Sequence, residues 1–214
     1  MKFRRAIPLA LCLALSGMAP ATQAFVVNID GSGLLGGASV YLRVGDGVYS
    51  GNFINHGTPG NGGPLNRVSV TVPAAMLGNG SNLAMTSNAT EPRSFYDSFV
   101  FCNVPQQVYV GGFNRGGLLT GGDTVLTVTA PTHLVSANGD TIPFSQISWT
   151  SSGNGDAAGS QPFPAGTFSG GTQSLGSFPK NTWRESCHTF SYGNDAIVPA
   201  GTYNGRVTYT LTVP

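Results

Sequence analysis

Short runs of alternating apolar and polar residues recur along most of this chain, separated by turn residues. Successive side chains of a strand point to opposite faces, so a period of two predicts a strand with one face buried. The last run is the most regular. Val207, Tyr209, Leu211 and Val213 share one face, while Arg206, Thr208, Thr210 and Thr212 share the other. Residues 38–44 set Val40, Leu42 and Val44 against Tyr41 and Arg43. Residues 68–72 alternate Val with Ser and Thr, and residues 124–130 alternate Thr with Val and Leu until Pro131 stops them. Residues 99–104, 108–113, 144–150 and 183–192 are apolar and β-prone and are expected strands too. On the last of these His188, Phe190 and Tyr192 share a face that is expected to point inward.

Between the runs lie Asn61-Gly62-Gly63-Pro64, Gly116-Gly117, Gly121-Gly122-Asp123, Asn138-Gly139-Asp140 and Gly153-Asn154-Gly155-Asp156. Asn-Gly and Gly-Gly pairs supply the positive φ values that tight hairpins need. The one helical expectation is residues 73–77, stopped by Gly78. Many short strands joined by such turns predict an all-β chain, an immunoglobulin-like or jelly-roll-type β-sandwich.

The N-terminus breaks the pattern. Lys2, Arg4 and Arg5 are basic, Ala6 to Leu15 is apolar apart from Pro8, and small residues stand at Thr22 and Ala24. That order is expected of a secretory signal peptide, residues 1–24, cleaved after Ala24. The apolar run is too short for a membrane span, which needs about 20 residues. The expected product is one domain, residues 25–214, in the periplasm, at the cell surface or outside the cell. Three of the 10 basic residues leave with the signal, so seven remain against nine acidic ones. Cys12 leaves too. Cys102 and Cys187 remain, and an even pair in an oxidising compartment predicts a disulfide. That bond closes a loop of 86 residues, both ends counted, for which loop entropy gives about 4 kcal/mol.

Charged residues make up 9% of the chain and Gly 31 of 214 positions. The surface is therefore polar mainly through Ser, Thr, Asn, Gln and Gly. No basic stripe exists to follow a phosphate backbone, so a nucleic-acid partner is not expected.

Candidate chemistry is sparse. His56, His133 and His188 are not at ligand spacing, and a zinc site needs clustered ligands. No Gly-x-Ser-x-Gly elbow occurs. Glu91 and Glu185 are the two glutamates, and most aspartates sit in turns. No enzyme activity, cofactor or metal is expected. Trp149, Trp183, Phe190 and Tyr192 could form a sugar-binding surface or fill the core, and the core is the preferred expectation. Pro164-Ala165-Gly166-Thr167-Phe168-Ser169-Gly170 returns as Pro199-Ala200-Gly201-Thr202-Tyr203-Asn204-Gly205. The simpler reading is a turn used twice to enter a strand.

Residues 198–213, with Gly201-Thr202-Tyr203 leading into the alternating terminal run, resemble the C-terminal strand of bacterial fimbrial subunits. The likeness is to the archaic chaperone–usher group and the related spore coat protein U-like domains. It implies an incomplete immunoglobulin-like sandwich whose missing strand comes from a periplasmic chaperone and then from the N-terminal extension of the next subunit, which is strand addition at a sheet edge. Val207, Tyr209, Leu211 and Val213 are then the contact strand. Phe25, Val27 and Ile29 alternate at the mature start and are either a donor strand or the domain's own first strand. The function expected is a structural or adhesive subunit of a surface fibre. The alternative is a self-contained, non-polymerising secreted binding domain, with carbohydrate as the candidate ligand.

Overall fold

The computed structural model describes residues 28–30, 39–47, 49–50, 58–59, 65–116 and 122–213. The signal segment, Ala24, Phe25, Val27 and His56 lie outside them.

The strands in chain order are β1 (Asn28–Asp30), β2 (Ser39–Val44), β3 (Tyr49–Ser50), β4 (Thr58–Pro59), β5 (Val68–Ser69), β6 (Leu83–Ala84), β7 (Thr86–Ser87) and β8 (Gln107–Arg115). They continue as β9 (Thr124–Ala130), β10 (His133–Val135), β11 (Thr141–Pro143), β12 (Ile147–Ser152), β13 (Gly166–Thr167), β14 (Gly171–Phe178), β15 (Arg184–Tyr192) and β16 (Thr208–Thr212). The larger sheet runs β1-β2-β8-β15-β12-β13, with β6 also paired to β15, and the smaller runs β14-β9-β16. All these pairings are antiparallel. The chain is all-β, with one disulfide between Cys102 and Cys187.

The alternation explains how the sheets meet. Leu42, Val108, Val110, Trp149 and Phe190 from the larger sheet share one core with Leu126, Val128, Ala130, Leu175, Phe178 and Leu211 from the smaller. Leu126, Val128 and Val110 are at most 1% exposed, and full burial of such side chains contributes about 1.5–3 kcal/mol each. Phe144 closes one end of this core. Its ring meets Phe168 edge-on at 5.1 Å. A Cβ at Gly205 would stand 2.5 Å from Phe144 Cε2. The two Pro-Ala-Gly-Thr segments therefore converge on one ring: Phe168 comes from the first copy and Gly205 ends the second.

Several expected elements differ. Residues 99–104 form no strand beyond an isolated bridge at Val100, because they belong to a loop, residues 88–106, that crosses the outer face of the larger sheet. The strand expected from residue 144 begins at Ile147, since Phe144–Gln146 is a 3-10 turn that sends Phe144 into the core. The expected helix at 73–77 is one 3-10 turn, Ala74–Met76. Of residues 68–72, only Val68–Ser69 pair, with β7. The sequence pattern also missed β14, whose pairing with β9 shifts between Ser174 and Gly176. Leu175 is the extra residue there, so its alternation changes phase.

Candidate functional site

The outer face of the larger sheet carries a second, smaller core: Phe101, Cys102, Tyr109 and Cys187, with Phe95 and Trp183 packed against it. Three strands supply its polar centre. Arg43 on β2 and Glu185 on β15 both stand opposite Gly111 of β8. Gly111 leaves room for the ring of Tyr109, two residues back on the same face, to lie across it, since any Cβ there would collide with the phenol. The Tyr109 hydroxyl donates to Glu185 Oε2. Trp183 Nε1 and Ser94 Oγ donate to the same oxygen, each at 2.8 Å. Charge-assisted bonds of this kind are stronger than neutral ones. Burial, and then the neighbouring Glu185 charge, pushes the Tyr109 phenol well above its ordinary pKa.

Arg43 is only 5% exposed. Its guanidinium lies 4.5 Å from the Tyr109 ring centre and 5.9 Å from that of Phe95, close enough for cation–π attraction. Its Nε donates to Gly45 O and its Nη1 to Arg93 O, while Nη2 has no partner. Burial lowers its pKa, opposed by Tyr109 and the carboxylates of Glu91, Asp46 and Glu185.

The covering loop is pinned along its length. The Asp46 carboxylate accepts from Thr90 N and Glu91 N, both at 2.9 Å. The disulfide fixes Cys102 to β15, and Asn154 N donates to Phe101 O at 2.9 Å. At the tip, Ser98 holds a left-handed φ of 64°, a conformation that non-glycine residues adopt where the surroundings impose it. The tip exposes Tyr96 at 63%, Phe99 at 53% and Val100 at 49%. Tyr96 stacks on Trp183 at 6.1 Å with 25° between planes, and Phe113 does so at 6.2 Å and 29°.

The structure separates the four aromatic candidates. Trp149, Phe190 and Tyr192 are buried in the main core, and Trp183 lies on the opposite face. His188 is fully buried and His133 is exposed. Among the described residues no group of three or more His, Cys, Asp or Glu could hold a metal ion. No helix among them is long and apolar enough to cross a membrane. Arg43 was legible only as half of a Tyr-x-Arg pair on the outward side of a strand, and Glu185 carried no sequence signal.

The terminal strand makes a second feature. β16 pairs with β9, Tyr209 opposite Val128 and Leu211 opposite Leu126. Leu211 is buried, Val207, Tyr209 and Val213 are half-buried, and Thr208, Thr210 and Thr212 are exposed. No strand among the described residues pairs with its other side, although β2 of the larger sheet comes near it. At the other end of the chain, β1 pairs with β2, Ile29 opposite Val40.

Compared with known proteins, the chain matches no family model, no curated protein and no solved structure.

Proposed function

We propose that this chain is an exported structural or adhesive subunit of a bacterial surface fibre, assembled by β-strand addition with the help of a periplasmic chaperone. The observation that supports this reading is the β16 edge. Its backbone pairs on one side only among the described residues, and Tyr209 on it, like Val207 and Val213 flanking it, is only half-covered. A regular edge of that kind is an aggregation hazard when left bare and a template when filled. Like subunits and a chaperone are the partners that would fill it.

The second reading, a self-contained secreted binding domain, is favoured by the pairing of Asn28–Asp30 with β2 of the same chain. One gel decides between them. Sheared cell-surface material, probed for this protein, is run unboiled and boiled in SDS. A ladder that collapses on boiling supports the fibre. Monomer in both lanes, from cells that express and export the protein, overturns it in favour of the self-contained domain.

A further inference from the structure

Asn114 on β8 and Thr124 at the start of β9 are each 0% exposed. Yet Asn114 Oδ1 and Thr124 Oγ1 have no hydrogen-bond partner in the fold. Both side chains lie at one end of the sandwich, on the facing sides of the two sheets. Asn114 keeps the phase of Val108 and Val110 along β8, and Thr124 keeps that of Leu126 and Val128 along β9, and those four residues line the shared core. The neighbours show that the sheets meet here. A Cβ at Gly112 would stand 3.3 Å from Phe178 Cζ, and Phe178 pairs with Thr124. Asn114 Nδ2 donates to Gly122 O at 3.2 Å, so its carboxamide reaches the chain two residues before Thr124. A buried polar atom without a partner has given up its bonds to solvent and gained none, and native folds satisfy nearly all such atoms.

We propose that one internal water molecule, held between Asn114 Oδ1 and Thr124 Oγ1, is a permanent part of this fold and joins the two sheets at this end. Chemistry selects the occupant. Asn114 Oδ1 can only accept a hydrogen bond, which argues against an anion. A buried cation needs a paired counter-charge, and calcium and magnesium take oxygen sets that include carboxylates. The acidic residue next to Thr124 in the chain, Asp123, is exposed. Water needs no counter-charge. It gives one hydrogen to each oxygen, or gives one to Asn114 and accepts the Thr124 hydroxyl. Internal waters occur about once per 27 residues and bridge buried polar groups of this kind. The position bears on the terminal edge as well. Val125, beside Thr124, pairs with Thr212 of β16, so the water anchors the end of the strand on which that edge is built.

This inference does not rest on the fibre or on adhesion. The test uses the purified full chain. Nuclear Overhauser transfer from long-lived water to Asn114 and Thr124 is measured by NMR, and oxygen-17 relaxation dispersion counts the internal waters. The expected result is transfer to both residues, and a count one lower in Thr124→Val but unchanged in Thr124→Ser. The sign of the stability change is a separate readout. At a hydroxyl with no partner of any kind, Val relieves the burial of a polar group and stabilises. With the water in place, Thr124→Val leaves that water short of a partner and should raise the unfolding equilibrium constant about fivefold or more. Transfer missing at either residue, an unchanged count in Thr124→Val, or a Thr124→Val protein as stable as the wild type or more so overturns the proposal. So does a rise in melting temperature with sodium, potassium or calcium that Thr124→Val abolishes, because the occupant is then a cation. Should Thr124→Val fail to fold, the transfer measured on the wild type decides alone.

Discussion

His188 and Trp149 stack inside the sandwich, their ring centres 5.8 Å apart and their planes 28° from parallel. Burial lowers the pKa of His188 to about 4, the Phe163 backbone opposing only in part. The folded protein therefore keeps this imidazole neutral where the unfolded chain would protonate it. Stability is full above the unfolded value near 6.5. It falls as the pH drops from there to about 4, and then levels. The shift corresponds to roughly 3 kcal/mol. Urea midpoints between pH 7.5 and pH 4 should show this slope in the wild type, and His188→Leu should flatten it.

The three donors on Glu185 Oε2 should behave as one unit. Tyr109→Phe and Ser94→Ala should each cost about 1.5–3 kcal/mol of unfolding free energy, as expected when a bond to a charged acceptor is lost. Because they share an oxygen, the double variant should depart from additivity by about 0.5 kcal/mol or more. A double-mutant cycle in urea measures this, and strict additivity would count against a shared network.

Replacing Cys102 and Cys187 together by Ala should cost about 4 kcal/mol by the loop-entropy relation. The loss should be greatest locally. Amides of residues 88–106 should lose protection from hydrogen exchange before those of β9, which is central in the smaller sheet. Uniform loss across both would mean that the loop is held without the bond.

Gly205→Ala should destabilise by about 1–3 kcal/mol, since the new methyl group meets the Phe144 ring in a filled core. Gly139→Ala is the comparison. A Cβ there meets nothing within 4 Å, so only the backbone strain of φ 89° is felt. Thermal melts of the two variants separate packing from backbone strain.

The parts of this fold that could be read from the sequence are those where one face is buried and no residue is inserted. β9 was bounded as read, and β15 and β16 lie within their expected runs. The cover was not legible. Residues 99–104 have strand composition, but Cys102 ties them to β15 and leaves Phe99 and Val100 in solvent, so tertiary context overrides propensity. β14 was hidden by one extra residue, Leu175. The Arg43–Tyr109–Glu185 centre joins residues remote in sequence whose meeting depends on sheet order, which no local pattern encodes. The terminal edge was legible as a strand, whereas its place beside β9 was not.

The bulge at Leu175 also makes the two sides of the smaller sheet unlike. β14 carries a bulge in its pairing with β9, and bulged edge strands resist further pairing. β16 is straight. Under the assembly proposed above, such a sheet would have a valence of one: it would take a single added strand beside β16 rather than spread into a wide ribbon from both flanks. Subunits joined through it would form an unbranched single-file thread, with one vacant berth at one end until a capping partner occupies it.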